Sequence, residues 1–421
     1  MKISKGAKSG DYVEVHLGKL IYEGVLLESS EDEKDVVLLK LDNGYNLGFN
    51  KKDVLEVKLI KKGEEKKGKI ELRKDSEKPI VALIMTGGTI VNRLDPKRGG
   101  VSPLTSPEDF FTFYPEIFEI ISPRIEMPFM KASEDMDFKD WQKIAKVVEK
   151  HLNDPHVKGI MITHGTDTLH YTSSALSFFL GKVNKPVVLT YSQKSSDRAS
   201  SDANMNLNCA ALAAISDIAE VMLVGHASMS DDFCYAMPGA KVRKLHTSRR
   251  DAFKVVNGKP FAKIKDEVEI LRSFNRRSSN KIKADTNFEE KVALIKFYPG
   301  QDTEILDYYT KKGYKGIVVE ALGLGHVSVN GRKSWIKKLK EVQKKMIVCF
   351  AAQTIYGRLD SYVYSNLRDI AKTGVIYLED MLAETAFVKL GFVLAKTTNK
   401  EEVKRLMLTN MVGELNERLE E

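Results

Sequence analysis

The 421-residue sequence is poor in cysteine and has no long uninterrupted apolar run. Its three cysteines, Cys209, Cys234 and Cys349, are far apart and form no CxxC pair, which argues against a zinc site and a disulfide framework. No window approaches the ~18 consecutive apolar residues of a membrane span, and Met1 to Gly6 contain no apolar core of signal-peptide length. These features predict a protein of the reducing cytoplasm that makes no membrane contact.

Several motifs of nucleotide binding and hydrolysis are also missing. Neither GxGxxG nor GxxxxGK[ST] occurs, so nucleotide binding by this chain has little support. No histidine–carboxylate cluster has metal-ligand spacing, and we therefore expect no metal site. No GxSxG elbow is present either, which disfavours a serine–histidine–aspartate hydrolase. The remaining candidate bases are equally explained as satisfied histidines near strand ends: His164, His226, His246 and His326.

Composition indicates a globular protein of two or three domains. The apolar fraction is 43% and the charged fraction 29%, which leaves enough apolar residues for a large core. The net charge of +8 permits contact with an acidic partner such as RNA, although a lysine-rich surface explains it equally well.

The first 75 residues predict a small all-β barrel. Short apolar or alternating runs cover strand lengths, and Asn43-Gly44 is a strong signal for a two-residue hairpin turn. No aromatic stacking surface accompanies them, so docking to a partner is favoured over RNA binding. Residues 61–79 carry charges of both signs and predict a solvated linker or exposed edge. The runs lie at 11–16, 20–27, 35–41, 45–49 and 54–60.

The rest of the chain alternates buried strands with helices, which predicts an α/β fold with parallel sheets covered on both faces. We expect a large α/β domain at 76–262, an interdomain connector at 263–291 and a smaller α/β domain at 292–421. Residues 92–107 carry turn-forming pairs and predict a loop long enough to be a mobile lid. The predicted strands are 80–85, 159–163, 186–190, 220–225, 292–297, 316–320 and 346–350, and the predicted helices are 138–152, 168–180, 207–217 and 401–411.

Two threonine-rich loops follow successive predicted strands. Thr86-Gly87-Gly88-Thr89-Ile90 ends the first strand, and its glycines permit a sharp turn close to a ligand. Either Thr86 or Thr89 could be a nucleophile, unless the stretch is only a turn that carries threonines. The second strand ends in His164-Gly165-Thr166-Asp167-Thr168, where Thr166 or Asp167 could cap the next helix or face an anionic group. Because parallel strands end at one edge, the two loops can share a crevice.

From about residue 80 to the C-terminus, the sequence resembles the bacterial-type L-asparaginases. The resemblance rests on these two loops and on a third segment, 242–253, which includes Lys244. The resemblance implies two α/β domains, with the site at the end of the larger sheet. It implies that Thr89 is the nucleophile and that Thr166, Asp167 and Lys244 form a second catalytic set. A threonine hydroxyl is a weak nucleophile and needs a base to take its proton. Amide hydrolysis also needs a proton shuttle and an oxyanion hole.

The same resemblance implies a substrate-carboxylate loop at residues 132–136. Ser133 and Glu134 would bind substrate there, together with Gly88 and Gly165 of the threonine loops. By its sequence pattern alone, Ser133 is explained equally well as the cap of a helix that begins at Phe138. The family's lid usually carries a tyrosine that assists the nucleophile. The corresponding stretch of this sequence contains no tyrosine and reads Pro96-Lys97-Arg98-Gly99-Gly100-Val101-Ser102.

The barrel joined to an asparaginase-like body resembles one family more closely: the asparaginase-like subunit of the archaeal glutamyl-tRNA(Gln) amidotransferases. That resemblance implies hydrolysis of glutamine or asparagine, with the ammonia passed to the tRNA-binding amidotransferase subunit, a partner protein. ATP and magnesium would belong to the partner, and this chain would hold no cofactor and meet tRNA(Gln) only indirectly. A homodimer within a heterotetramer is expected. The alternatives are a free-standing L-asparaginase and a scaffold with an inactive amidase fold.

Overall fold

The structure is a computed structural model that describes residues 2–3, 7–27, 35–42, 45–63, 77–95, 100–103, 110, 114–195 and 200–419. Among these residues, no helix has both the length and the apolar character needed to cross a membrane.

The N-terminal unit is a small β-sheet structure, as the sequence predicts. Its strands run β1–β6–β2–β3–β4–β5 across the sheet, and each described pair is antiparallel except β1 with β6. Alternate residues point inward, so that Val13, Val15, Leu39 and Val57 form its core. The Asn43-Gly44 turn and residues 64–76 of the predicted linker lie outside the described residues. The strands are β1 (Lys2–Ile3), β2 (Tyr12–Leu17), β3 (Leu20–Leu27), β4 (Val36–Lys40), β5 (Asn46–Asn50) and β6 (Glu56–Lys61).

The large domain is built on a mixed sheet rather than a purely parallel one. Its order is β10–β7–β11–β12–β13–β14–β17–β18, with the first five strands parallel and the last three antiparallel. Two of the antiparallel strands fall in or at the edge of residues 263–291, the predicted connector. The elements are β7 (Ile80–Met85), β8 (Asn92–Asp95), β9 (Gly100–Pro103), β10 (Ser122–Glu126), β11 (Val157–Thr163), β12 (Val187–Thr190), β13 (Val221–His226), β14 (Cys234–Pro238), β15 (Val242–Lys244), β16 (Phe253–Val255), β17 (Ala262–Ile264) and β18 (Val268–Ile270).

Helices cover both faces of this sheet, which explains why its central strands are apolar throughout. In β7, Ala82 and Ile84 pack toward one helix pair, and Val81 and Leu83 pack toward the other. The first pair is α2 (Phe138–Leu152) and α3 (Leu169–Leu180), and the second is α1 (Ile117–Ile120) and α4 (Ala203–Ile215). This arrangement confirms the predicted α/β class.

The predicted lid contains regular structure. Strands β8 and β9 pair antiparallel, so residues 92–95 and 100–103 form a hairpin rather than an irregular loop. Residues 96–99 and 104–107 lie outside the described residues.

The C-terminal domain is a second, smaller α/β unit, as expected. Four parallel strands lie in chain order: β19 (Val292–Lys296), β20 (Gly316–Ala321), β21 (Ile347–Ala352) and β22 (Ile376–Tyr377). Helix α8 (Ala383–Leu394) packs between this sheet and helix α3 of the large domain, where the rings of Phe178 and Phe392 lie 5.8 Å apart. The helices are α5 (Glu304–Lys311), α6 (Ile336–Val342), α7 (Ser365–Ala371), α8 (Ala383–Leu394) and α9 (Lys400–Met407).

Candidate active site

The two threonines of the first threonine loop differ in their exposure to solvent. Thr86 is completely buried, and its hydroxyl donates a 2.7 Å hydrogen bond to the Thr163 carbonyl on the neighbouring strand. Thr89 is half-buried and begins a single 3₁₀ turn that ends at Val91. The Tyr114 hydroxyl donates a 2.8 Å hydrogen bond to the Ile90 carbonyl and steadies this turn. The Thr86 hydroxyl is therefore held by the sheet, whereas Thr89 is only partly buried.

The two glycine-containing loops approach each other backbone to backbone. Gly88 has a φ of +92°, a conformation that L residues with a side chain rarely adopt. A Cβ on Gly88 would lie 2.5 Å from the carbonyl carbon of His164 and 2.6 Å from the amide nitrogen of Gly165. Because Gly88 precedes Thr89 and Gly165 precedes Thr166, this contact brings the two predicted hydroxyl loops side by side.

Lys244 lies against the second loop. Its Nζ donates a 2.8 Å hydrogen bond to Thr166 Oγ1 and a 2.9 Å bond to Asp167 Oδ1. The lysine side chain is 11% exposed, and that of Asp167 is 65% exposed. Lys244 therefore bridges a hydroxyl and a carboxylate at the opening of the site. Strand β15 places it there by pairing with β16, with Lys244 opposite Phe253.

Ser133 joins the same cluster from a third segment. It begins a 3₁₀ turn that ends at Asp135, and its hydroxyl accepts a 3.2 Å hydrogen bond from the Asp167 amide. Its carbonyl accepts a 2.7 Å bond from the Thr168 hydroxyl. A Cβ on Gly165 would lie 2.7 Å from the Ser133 hydroxyl oxygen. Glu134 lies exposed on the same turn.

The structure corrects the capping alternative for Ser133. The N-cap of α2 is Asp137, whose side chain accepts a 2.8 Å hydrogen bond from the Lys139 amide. Asp140 completes a capping box, because its side chain accepts a 3.0 Å bond from the Asp137 amide. Ser133 lies four residues before this cap, so its hydroxyl is available to the Asp167 loop instead.

The capping alternative for Thr166 and Asp167 is wrong as well. Helix α3 begins at Leu169 with Thr168 as its N-cap, and the Thr168 side chain makes no capping hydrogen bond. Thr166 and Asp167 thus lie in the loop between β11 and α3, before the N-cap of the helix. This position lets Thr166 and Asp167 face Lys244, a residue far along the chain whose contact no local pattern reveals.

His164 is a structural residue of this loop. Its ring is completely buried, its Nδ1–H donates a 2.7 Å hydrogen bond to the Gly165 carbonyl, and its Nε2 accepts a 2.9 Å bond from the Thr172 hydroxyl. Burial lowers the pKa of His164 to about 4, so the ring is neutral at pH 7. Both ring nitrogens are occupied, which fits the satisfied-histidine interpretation.

Two of the other candidate histidines, His226 and His246, fit that interpretation too. His226 is fully buried between Asn206 and Asp231, at 2.6 and 2.9 Å from its ring nitrogens. His246 Nδ1 accepts backbone hydrogen bonds from residues 248 and 249. The ring of His326 lies 5.4 Å from that of Tyr364.

Two supporting contacts had no signal in the sequence. Tyr114 and Thr172 act on the site through single hydrogen bonds formed across the fold, and neither belongs to a recognisable motif. Within the described part of the chain, no group of histidine, cysteine or carboxylate side chains has the arrangement of a metal site.

Three family descriptions match the sequence in order along the chain. "GatD N-terminal domain" matches residues 7–60, "Asparaginase, N-terminal" matches 80–276, and "Glutaminase/Asparaginase C-terminal domain" matches 291–407. The first coincides with the small β-sheet unit, and the other two coincide with the α/β domains.

Solved L-asparaginases share the fold of the two α/β domains. The thermostable L-asparaginase from Thermococcus kodakarensis superposes with a TM-score of 0.73 at 29% identity, covering 80% of this chain and 100% of that protein. L-asparaginase I from Vibrio cholerae superposes with a TM-score of 0.70 at 27% identity, covering 80% of this chain and 99% of that protein.

Relatives that match nearly the whole chain share a different name, that of the GatD subunit of glutamyl-tRNA(Gln) amidotransferase. The GatD protein of Pyrococcus furiosus is 46% identical, over 98% of this chain and 95% of the relative. The GatD protein of Metallosphaera sedula is 41% identical, over 99% of this chain and 94% of the relative. Since these relatives include the N-terminal unit as well as the asparaginase-like body, the chain belongs to the GatD family of glutamyl-tRNA(Gln) amidotransferase subunits.

Proposed function

We propose that this chain hydrolyses the side-chain amide of glutamine, or of asparagine, and releases ammonia for the conversion of Glu-tRNA(Gln) to Gln-tRNA(Gln). The observation that carries the proposal is the position of the Lys244 ammonium between Thr166 Oγ1 and Asp167 Oδ1, at 2.8 and 2.9 Å. A hydroxyl held against an amine can relay a proton to that amine when the amine is in its neutral form. The GatD relatives give this amidase body its role in a tRNA-dependent amidotransferase.

In the proposed reaction Thr89 is the nucleophile. Its Oγ attacks the amide carbon of the substrate, and the hydroxyl proton passes through Thr166 and Lys244 to the departing nitrogen. The C–N bond breaks, ammonia leaves, and water hydrolyses the ester on Thr89 to give the free acid. The partial exposure of Thr89, together with the hydrogen bond from the Thr86 hydroxyl to the Thr163 carbonyl, supports this assignment.

The remaining predicted residues have proposed binding roles. Amide groups of the loops around Gly88 and Gly165 would stabilise the oxyanion, because backbone N–H groups in a closed loop are fixed donors. Ser133 and Glu134 would bind the substrate's α-carboxylate and α-ammonium side, assisted by Asp167. The hydrogen bond from the Asp167 amide to Ser133 supports this grouping, because it joins the two loops directly.

We also propose the assembly expected from the family. The tRNA-binding amidotransferase subunit would be the partner and would use ATP and magnesium, and this chain would form a homodimer within a heterotetramer in the cytoplasm. The N-terminal barrel would dock to the partner rather than contact tRNA. Exposed apolar side chains on the barrel, Leu20 and Leu55, support docking, and the three free cysteines are those of a reducing compartment.

The test is release of ammonia from glutamine and from asparagine by the purified chain, alone and together with co-expressed partner, misacylated tRNA and ATP. We expect full activity only in the complete mixture, and we expect Thr89→Val and Lys244→Leu to lower it by about 100-fold or more. Lys254→Leu is the control, since Lys254 lies on the same hairpin but contacts Asp251 and the Ala227 carbonyl.

Two results would reject parts of the proposal. Full asparagine hydrolysis by the chain alone would favour a free-standing L-asparaginase, which the shared fold of the solved L-asparaginases allows. Unchanged glutamine-dependent activity in the Thr89→Val or Lys244→Leu variants would show that the catalytic residues lie elsewhere.

A further inference from the structure

The hairpin that carries Lys244 belongs to neither large sheet. Strands β15 and β16 form a separate two-stranded sheet of three residues each. Isolated two-stranded hairpins are marginally stable in water, so this hairpin needs support from outside. The position of Lys244 therefore depends on the groups that hold the hairpin.

The C-terminal domain provides much of that support. Arg243 Nη2 forms a 2.9 Å ion pair with Glu384 Oε1 in the first turn of α8. Just before the hairpin, the Lys241 ammonium forms a second ion pair with Asp380, and both side chains are almost completely buried. Buried ion pairs are sensitive to the loss of one partner, because the other charge is left without compensation.

The backbone on both sides of the hairpin is held as well. The Thr385 hydroxyl donates a 3.0 Å hydrogen bond to the Ala240 carbonyl, before β15. After β16, Asn257 donates from its side chain to the Asp380 carbonyl at 3.2 Å, and its side-chain oxygen accepts from the Gly357 amide at 3.0 Å. Both ends of the hairpin are thus fastened to the C-terminal domain.

Arg243 and Lys244 are consecutive residues of one strand, so their side chains point to opposite faces. Arg243 contacts the C-terminal domain, and Lys244 contacts the threonine loop of the large domain. We propose that Arg243 and Glu384 are positioning residues, through which the C-terminal domain sets the place of the Lys244 ammonium. This inference rests on the proposed role of Lys244 in amide hydrolysis.

Glu384 is suited to this role because its carboxylate is buried and bound to Arg243 through one oxygen. The other oxygen, Oε2, makes no hydrogen bond with any part of the chain that the structure describes. Glu320 is a further carboxyl group that interacts with both Arg243 and Glu384. Loss of the Arg243–Glu384 pair would therefore remove the contact with α8 at the residue next to Lys244 and let the Lys244 ammonium shift from Thr166, while the other contacts keep the hairpin attached.

The test compares Glu384→Gln, Arg243→Gln and the double variant in the full chain assembled with its proposed partner. For glutamine hydrolysis we expect kcat to fall by about 10- to 100-fold, because a shift of about 1 Å in a catalytic group has effects of that size. KM should change by less than about threefold. The double variant should lose no more than either single variant, since both remove one contact. Arg243→Lys should recover most of kcat.

Glu414→Gln is the matched control. Glu414 is as buried as Glu384, lies in the same domain and pairs with Lys389, but it does not touch the hairpin. It should lower the melting temperature without lowering the kcat of folded enzyme. If Glu384→Gln has the kcat of this control, or additive losses appear in the double variant, the positioning role is wrong. If Lys244→Leu itself keeps full kcat, the proposed function fails instead, so the two failures are distinguishable.

Discussion

Gly88 lies at the backbone contact between the two threonine loops of the proposed site. Its φ of +92° and its packing against residues 164–165 leave no room for a side chain. Gly181, at the end of α3, also has a positive φ, +58°, but a Cβ there would meet nothing within 4 Å. Substitutions at the two glycines therefore distinguish the free-energy cost of an unfavourable backbone conformation from the cost of a steric clash.

We expect Gly88→Ala to lower the free energy of unfolding by about 3 kcal/mol or more and to abolish amide hydrolysis. Gly181→Ala should cost only about 1–2 kcal/mol, from backbone strain alone, and keep its activity. Urea denaturation and ammonia release measure the two effects. Equal losses in both variants would show that contact between the two loops is not needed.

Glu320 is a carboxyl group whose burial works against its charge. Its pKa is raised by burial, and Glu384 adds to the effect, whereas Lys296 and Arg243 oppose it. A raised pKa in the folded state means that this group favours folding fully below its unfolded pKa. That contribution is lost as the pH rises through the folded pKa.

Glu320→Gln should therefore raise the melting temperature at pH 7–8, by about 1–3 °C because the group is only partly buried. The difference from the wild type should vanish as the pH falls below 4.5, the ordinary pKa of a glutamate. Glu402→Gln is a control of opposite sign, since Arg405 lowers the pKa of Glu402. A larger difference at low pH than at high pH would contradict the assignment for Glu320.

At the scale of elements, α2 anchors the turn that carries Ser133. Its capping box joins Asp137 and Asp140, and Lys131 Nζ forms 2.9 Å bonds to both oxygens of Asp140. The same Lys131 donates its amide to the Thr86 carbonyl at 3.0 Å. The start of α2 thus connects the Ser133 turn to the first threonine loop.

Removal of this cap should destabilise the protein and weaken substrate binding. We expect Asp137→Ala to cost about 1 kcal/mol and to raise KM for glutamine more than it lowers kcat. Thr303→Ala is the control, because the Thr303 side chain at the N-cap of α5 makes no capping hydrogen bond. Chemical denaturation and steady-state kinetics measure the outcome. An unchanged KM would show that the cap does not hold the Ser133 turn in place.

At the scale of the molecule, the N-terminal unit has a core of its own. Its buried apolar residues lie between Val13 and Val57, and the four apolar clusters of the α/β domains contain none of them. Among the described residues, the body therefore shares no buried apolar cluster with the N-terminal unit.

A fragment of residues 77–421 should fold cooperatively and melt within about 5 °C of the full chain, because its core is intact. It should lose affinity for the proposed partner. Calorimetry and co-purification with the partner test both statements. Partner binding by the fragment at full affinity would show that the barrel is not the docking module.

Much of the fold follows from short-range patterns. Helix α2 lies at Phe138–Leu152, where the periodicity places it, because apolar residues at helical spacing need one buried face. The apolar run at residues 80–85 forms a buried parallel strand. The three antiparallel strands of the large sheet were not predicted as such, because β17 and β18 have only three residues each and β17 joins the sheet through the distant strand β14.

By itself the sequence determined the α/β class and the separate N-terminal unit. Through family resemblance it also predicted the set of Thr89, Thr166, Asp167 and Lys244. The tertiary structure alone decided that the Thr86 hydroxyl is held by the sheet, because its bond to the Thr163 carbonyl joins two strands. It also decided that Lys244 meets Thr166 across the fold. Hydrogen bonds between distant segments leave no periodic trace in a sequence, so only the folded chain reveals them.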